Sequence, residues 1–399
     1  MLQHLFNRAL PRLKASAHAR DLDAFANFLL AENYSRLTCR RHVRHLSRVL
    51  DQATREPIGR VSGTELRTFF KDWPGKGHRG TERLYRRFLA NSDRLIADYD
   101  DEPRFTLKRR YLERLRKLRG LAPRTLTHID WALTHFLTNC LAPDDTEATL
   151  TTKVVENYFR IRRPQLARPT FQHIVGSVRR FLRYGYECGE ILEALHQFEL
   201  PRSFRFEQPP RAVPWEQIEA LLVAIDRTTF VGNRDYAMLH LMAFYGLRPG
   251  EVAALTTNAV EWRNGTLTVY QPKTRSTLLL PLAPATVAIL HDHARQRRTS
   301  PHPEFFLCGQ APYGPLSCSV VSTRFKLQAR RAGLPIAEAS AYTLRHSFAM
   351  RLLAGGVGIE AIGDLMGHRN VSSTSAYLRI QSDMLRSVGL EVPGREVQP

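Results

Sequence analysis

Hydrophobic residues recur at three- and four-residue spacing along most of the first half of the chain. This spacing places them on one face of an α-helix and is typical of amphipathic helices. The pattern predicts helices over residues 21–34, 38–52, 64–71, 107–119, 125–139, 152–163 and 170–187. The amino-terminal half is therefore predicted to be helical.

The helical half also repeats itself. The segment that starts at Ser35 aligns with the one that starts at Ala122, 87 residues later, and residues 65–70 align with 154–159. Further on, residues 86–89 align with 179–182 at an offset of 93, as loop insertions would cause. The sequence thus predicts two helical domains, residues 1–100 and 105–200. A chance resemblance is the alternative, because helical periodicity alone produces such matches.

A different pattern follows residue 200. Residues 201–211 contain three prolines, which prevent a continuous helix, and are predicted to be a linker. Beyond it, two β-rich runs at residues 266–270 and 277–280 are typical of a hairpin. Helices are predicted to open at Trp215 and Gly250 and to span 233–245, 340–354 and 359–366, with a short helix or turn at 374–379. We therefore expect a mixed α+β domain over residues 212–392 with a tail at 393–399, and a mainly α fold overall with a small sheet.

The formal net charge is +20, from 58 Lys and Arg against 38 Asp and Glu. This balance favours a polyanionic partner, and DNA is the first candidate. The alternative is a basic surface that serves only solubility. No apolar run is long enough to predict a membrane span.

Two further features of the sequence concern the location of the protein. The start of the chain is interrupted by Arg8, Pro11 and Arg12 too early for a secretory signal. The five cysteines are scattered without Cys-x-x-Cys spacing, which predicts reduced thiols in a cytoplasmic protein.

Candidate chemistry is concentrated in the carboxy-terminal half. Arg248, Lys273, Arg345 and His368 stand in short motifs that precede Tyr377. Guanidinium groups make bidentate bonds to the equatorial oxygens of a phosphoryl transition state, and a tyrosine can act as its nucleophile. Because these residues lie far apart in sequence, folding would have to assemble the site.

These motifs resemble those of the tyrosine recombinases, the phage-integrase family, over residues 211–392. The first arginine box of that family is Gly-Leu-Arg-x-x-Glu, and here it contains Arg248 and Glu251. Its lysine stands eight residues before a Pro-Leu pair, as Lys273 does. Its Leu-Gly-His box, here Met-Gly-His with His368, stands nine residues before the nucleophile, here Tyr377.

The second arginine box departs from the family pattern. The family has His-x-Leu-Arg-His, whereas this chain has Tyr342 at the first position and Arg345 at the fourth. A tyrosine hydroxyl can donate a hydrogen bond but is a poor base at neutral pH. Activity is still expected, although a mechanism that needs a base at this position is in doubt.

The resemblance implies a mechanism and partners. Arg248 and Arg345 would bind the scissile phosphate with His368 and the Tyr342 hydroxyl, and Glu251 would position Arg248. Tyr377 would attack to form a 3′-phosphotyrosine while Lys273 protonates the departing 5′ oxygen. No metal or other cofactor is implied. The partners would be double-stranded DNA recombination sites and three further copies of the chain in a tetramer, with accessory DNA-bending proteins or a partner recombinase as further candidates and a nucleoid-associated location.

Two other functions stay open at this point. A type IB topoisomerase has a similar site but relaxes supercoils as a monomer, and a catalytically weak DNA-binding regulator would be compatible with Tyr342. Outside the catalytic motifs, Arg40, Arg44 and Arg48 fall at four-residue spacing and form one basic stripe. The apolar positions Val43, Leu46 and Leu50 would face inward. A solvated helix face is the alternative for this stripe. The predicted DNA contacts are Arg40, Arg44, Arg48, Arg124, Arg179, Arg202 and Arg205.

Overall fold

A computed structural model describes residues 1–96, 102–198, 212–272 and 275–367, apart from the side chain of Arg119. The chain divides into two compact units, Met1–Ala31 with Arg36–Arg205 and Glu32–Ser35 with Phe206–Pro399. The predicted fold class, mainly helical with a small sheet, is confirmed. No helix in the described ranges is long and apolar enough to cross a membrane.

The described part of the first unit consists of helices and one pair of two-residue parallel strands. Its helices are α1 (Leu2–Leu5), α2 (Leu10–Ala15), α3 (Ala19–Ala31), α4 (Arg36–Ala53), α5 (Gly63–Phe70), α6 (Lys76–Asn91), α7 (Thr106–Arg119), α8 (Pro123–Cys140), α9 (Thr152–Arg162) and α10 (Arg168–Glu187). The strands are β1 (Val61–Ser62) and β2 (Leu95–Ile96). Each predicted helix is present, but the first ends at Ala31 rather than at residue 34, since Asn33 has a φ of 63°.

Helices α3–α6 and α7–α10 follow one another in the same order, and their buried positions correspond. Both ends of α4 and α8 are 87 residues apart. The buried residues of α6 correspond, at an offset of 93, to buried residues of α10, as follows: Thr81 to Ile174, Tyr85 to Val178, Phe88 to Phe181 and Leu89 to Leu182. The repeated sequence therefore produces repeated helices with matching apolar faces. The assignment of residues 1–100 and 105–200 to separate domains stays a prediction.

A carboxylate lies in the core of the second helical set. Glu147 is 4% exposed and accepts hydrogen bonds from the backbone N–H groups of Leu107 and Lys108, at the start of α7. Burial raises the pKa of this carboxyl to about 7, against the opposing effect of those hydrogen bonds. The core around it is otherwise aromatic and aliphatic, with Phe136 and Phe181 fully buried.

The described part of the second unit packs helices around a central one. Its helices are α11 (Trp215–Val223), α12 (Phe230–Tyr245), α13 (Pro249–Ala253), α14 (Pro284–Gln296), α15 (Cys318–Arg331), α16 (Tyr342–Ala354) and α17 (Ile359–Leu365). The strands are β3 (Val260–Glu261), β4 (Thr266–Gln271) and β5 (Ser276–Pro281), which form an antiparallel sheet in the order β3-β4-β5. The predicted hairpin is confirmed.

Helix α12 is buried on nearly all sides because α11, α13, α14, α15 and α16 pack against it. A charged group in its first half is therefore fully paired. Asp235 is completely buried and accepts hydrogen bonds from Arg234 at 2.7 Å, Arg324 at 2.6 Å and Gln328 at 2.8 Å. Removing one partner of such a buried set leaves an unpaired charge, which is strongly destabilising. This network anchors α15 to the helix that leads into the first arginine motif.

Candidate functional site

The first arginine motif begins where α12 ends. Gly246 has a φ of 63°, and a Cβ there would lie 2.5 Å from the Phe348 ring. Glycine is therefore required both by the left-handed backbone and by the close approach of α16. The chain then turns so that Arg248 caps α13, and the Arg248 backbone N–H donates to Glu251 at 2.8 Å.

The Glu251 carboxylate lies between two guanidinium groups. It is only 3% exposed and forms an ion pair with the Arg248 side chain. Its other oxygen lies 4.0 Å from Nη1 of Arg345. Two residues predicted to bind one phosphate, 97 positions apart in sequence, are thus brought to the same anion.

Arg345 connects three segments of the second unit. It lies on α16, is 4% exposed, and donates from Nη1 to the Gly246 carbonyl at 2.5 Å and from Nη2 to the Met366 carbonyl at 2.7 Å. A guanidinium carries five N–H donors in a fixed plane, so one side chain can bind two carbonyls and still face an anion. Arg345 therefore fixes the end of α12 relative to the Met-Gly-His motif.

Gln271 belongs to the same cluster and was missed by the sequence analysis. It ends β4, is 1% exposed, and its Nε2 lies 3.4 Å from the Met366 carbonyl that Arg345 also binds. A Cβ at Gly367 would lie 2.6 Å from the side-chain amide carbon of Gln271. Gly367 also has a φ of 62°. The glycine of the Met-Gly-His motif was the available sign that another group packs against it, but nothing in the sequence identified that group.

Tyr342, the departure from the family pattern, is the first residue of α16. Tyr342 is 46% exposed, and it precedes Arg345 by one helical turn, so the two share a face. His346 follows Arg345 and is half-buried. Burial, with a smaller contribution from the Arg345 charge, lowers the pKa of His346. This histidine is therefore harder to protonate than a free imidazole.

Several predicted site residues lie outside the described residues: Lys273, His368, Tyr377, Arg202 and Arg205. The closest described positions are Pro272 and Arg275 beside Lys273 and Gly367 beside His368. The strands that flank Lys273 end at Gln271 and begin at Ser276, in agreement with a hairpin turn between them.

The three arginines of the predicted basic stripe on α4 have different surroundings in the structure. Arg40 donates to the Leu5 carbonyl at the end of α1, and the Arg44 guanidinium lies 5.5 Å from the centroid of Phe6. Arg48 is exposed, and the apolar positions predicted to face inward, Val43, Leu46 and Leu50, are fully buried. Of the other predicted DNA contacts, Arg124 is exposed at the start of α8 and Arg179 is half-buried on α10.

The sequence is similar to those of known recombinases. Residues 212–384 match the sequence model of the Phage integrase family. An integrase/recombinase of Sinorhizobium fredii is 37% identical over 191 residues, which cover 47% of this chain and 98% of that protein. Another from the same organism is 27% identical over 99% of this chain and 96% of its own length. Tyrosine recombinase XerD of Xanthomonas axonopodis pv. citri is 33% identical over 52% of this chain and 69% of its own.

Solved structures show the same fold. The Tn1549 transposon integrase in complex with transposon right end DNA has a TM-score of 0.56 at 16% identity and covers 71% of this chain and 100% of its own. A lambda integrase dimer bound to a COC′ core site has a TM-score of 0.55 at 18% identity, covering 73% and 80%. The chain therefore belongs to the phage-integrase family of tyrosine recombinases. It is a site-specific recombinase, as its motifs predicted.

Proposed function

We propose that this recombinase cuts and rejoins DNA strands through a covalent 3′-phosphotyrosine intermediate, with Tyr377 as the nucleophile. The observation that carries the proposal is the approach of Arg248 and Arg345 to one buried carboxylate, that of Glu251. Two guanidinium groups held this close form a site for an oxyanion, and the scissile phosphate is the oxyanion that the reaction supplies.

Each described residue then has a distinct task. The Glu251 carboxylate binds both the backbone N–H and the guanidinium of Arg248. The Arg248 guanidinium therefore needs no reorganisation when DNA binds. Arg345 is held by the Gly246 and Met366 carbonyls. Tyr342 would donate its hydroxyl to a non-bridging oxygen, for which its exposure at the start of α16 is suitable.

The remaining tasks fall to residues outside the described ranges. His368 would donate a further hydrogen bond to the phosphate, and Lys273 would protonate the 5′ oxygen as it departs. The phosphotyrosine stores the energy of the broken phosphodiester, and a 5′ hydroxyl of the partner duplex then attacks it to reverse the step. This cycle balances without ATP or a metal ion.

Two duplexes and four cleavages require four copies of the chain, so we infer a homo-tetramer on double-stranded recombination sites. A lambda integrase tetramer bound to a Holliday junction shares the fold, with a TM-score of 0.54 at 17% identity over 68% of this chain and 76% of its own. The biological task would be integration, excision or transposition of a mobile element, with accessory DNA-bending proteins or a partner recombinase as further components and the nucleoid as the location.

The test is covalent trapping on DNA. The full chain is incubated with end-labelled duplexes from the DNA that flanks its own gene, each nicked so that the cleaved end diffuses away. Wild-type protein should give a labelled adduct that survives denaturation, and the fragment that is released should have a free 5′ hydroxyl. Tyr377→Phe should bind the same duplex with nearly unchanged affinity and give no adduct, because only the nucleophilic oxygen is lost.

Two outcomes would contradict the proposal. An adduct that persists in Tyr377→Phe would assign the nucleophile to another residue. Relaxation of supercoiled plasmid without a specific site, by a monomer, would instead favour the topoisomerase function.

A further inference from the structure

The solvent face of α4 carries five exposed arginines: Arg36, Arg40, Arg41, Arg44 and Arg48. The helix contains no acidic residue until Asp51. Residues 1–96 as a whole contain 19 Lys and Arg against nine Asp and Glu. Like charges this close together repel one another and reduce the stability of a helix, so their presence calls for a reason outside the helix.

The repeat within the chain provides an internal comparison. Helix α8 has the same length as α4, at an offset of 87, and a matching buried face. At the positions of the five arginines it has other residues: Pro123, Thr127, His128, Trp131 and His135. The helix and its packing are therefore formed without these arginines, and their function is specific to the first copy.

Two of the five have a structural explanation. Arg40 and Arg44 contact Leu5 and Phe6 at the end of α1. The other three, Arg36, Arg41 and Arg48, make no hydrogen bond or ion pair with any residue that the structure describes. Arg36 is the first residue of α4 and does not share a face with Arg41, so Arg41 and Arg48 carry the inference.

Arg41, His45 and Arg48 lie on one face of α4, at i, i+4 and i+7. His45 packs on Gly77 of α6 and stacks on His78, with ring centroids 4.2 Å apart, and Trp73 lies 4.7 Å from His78. Burial, then the charge of His78 and those of Arg41 and Arg48, lower the pKa of His45. His45 thus lies between the two arginines on this face and stacks on the ring of His78.

We propose that Arg41 and Arg48 bind two phosphates of duplex DNA, as a contact of the amino-terminal helical set outside the catalytic site. Seven helical residues separate them by about 10 Å along the helix axis. This distance is the axial rise of about three base pairs. The inference rests on the proposed function, since it takes DNA as the partner, and it replaces the predicted Arg40, Arg44 and Arg48 stripe with a pair on the α6 side of the helix.

The test compares two double variants of the full chain on one 40-base-pair duplex, by fluorescence anisotropy at pH 8 over a salt series. The first is Arg41→His with Arg48→His, because the corresponding residues of α8, His128 and His135, are histidines. The matched control is Arg55→His with Arg60→His, which removes two exposed charges from the loop after α4. Thermal unfolding of each variant reports that the fold is kept.

Each lost phosphate contact lowers the log–log salt slope by about 0.9, so the first variant should lose about 1.8 in slope. The same relation implies a roughly 60-fold weaker affinity at 0.1 M salt, about eightfold for each contact. The control should change the slope by much less. A slope equal to wild type, or an equal loss in both variants, would overturn the assignment and leave this face for a protein partner. Failure of the wild-type chain to bind any duplex would instead refute the proposed function.

Discussion

Replacing Gly367 by alanine should disable cleavage by a mechanism that the structure specifies. The new Cβ would lie 2.6 Å from the side-chain amide carbon of Gln271, which is buried at the end of β4. Either the Gln271 amide or the Met366–Gly367 backbone must move. Because the Met366 carbonyl accepts from Arg345, a backbone shift would displace the guanidinium that is proposed to bind the phosphate.

Two contributions set the magnitude. A left-handed backbone at an alanine costs about 1–2 kcal/mol, and the φ of 62° requires this conformation. Inserting a methyl group into a packed site costs about 1–3 kcal/mol. The sum is about 2–5 kcal/mol, which corresponds to a roughly 30- to 5,000-fold slower reaction if all of it appears in the cleavage barrier.

The chain offers a matched control for the backbone contribution. Gly356 has a φ of 80°, and nothing lies within 4 Å of a Cβ built on it. Gly356→Ala should therefore have the free-energy cost of a left-handed backbone without a collision of the new Cβ with a neighbouring side chain. The assay is the single-turnover rate of adduct formation on the nicked duplex, with DNA affinity measured in parallel.

The collision itself is tested by removing its other partner. Adding Gln271→Ala to Gly367→Ala removes the obstructing amide, so the double variant should recover about 1–3 kcal/mol relative to the sum of the single changes. If the two effects simply add, or if Gly367→Ala reacts as fast as Gly356→Ala, Gln271 does not control this segment and the reasoning fails.

Three further predictions follow from the same contacts. Arg345→Lys should lower the cleavage rate by about 100- to 1,000-fold with little change in DNA affinity, because an ammonium cannot bind two carbonyls and a phosphate in one plane; a wild-type rate would contradict its position in the site. Tyr342→Phe should slow adduct formation and Tyr342→His should not, whereas equal rates for Phe and wild type would make Tyr342 a packing residue. Glu147→Gln should raise the free energy of unfolding in urea by up to about 3 kcal/mol at pH 8 and leave it unchanged near pH 4.5. The pKa of the Glu147 carboxyl is about 7 in the folded chain against 4.5 for a free carboxyl, so its ionisation destabilises the fold by an amount that grows between these pH values and is constant above them. Equal gains at both pH values would mean that the charge is not responsible.

The catalytic motifs were accessible from the sequence because their chemistry is local. Arg248 and Glu251 stand three residues apart at a helix start, so a contact between them could be expected from helical geometry alone. The bonds from Arg345 to two carbonyls could not, since a backbone carbonyl has no signature in the sequence. Gln271 was missed for the same reason: its contact with Met366 spans 95 residues.

For the helices too, the sequence predicted some features and missed others. Periodicity identified α4 and its buried face, but it gave no sign that α1 lies against Arg40 and Arg44, because α1 is a single turn of four residues. Helix α6 was not among the predicted helices. Gly75, Gly77 and Gly80 weaken its helical pattern, and the structure shows that Gly77 permits the close approach of His45. Tertiary packing here overrides a poor local propensity.

Matched cores in one chain create a risk of misassembly during folding, because helix α4 could pair with α10 instead of α6. The facing residues differ in a way that opposes this. In the first copy His42 and the Thr81 hydroxyl form a buried hydrogen bond of 2.8 Å, whereas the corresponding positions of the second copy are Ile129 and Ile174. A pair of α4 with α10 would bury His42 against Ile174, and an unsatisfied polar group costs about 1–3 kcal/mol. This polar pair thus favours the packing of α4 on α6, within its own copy.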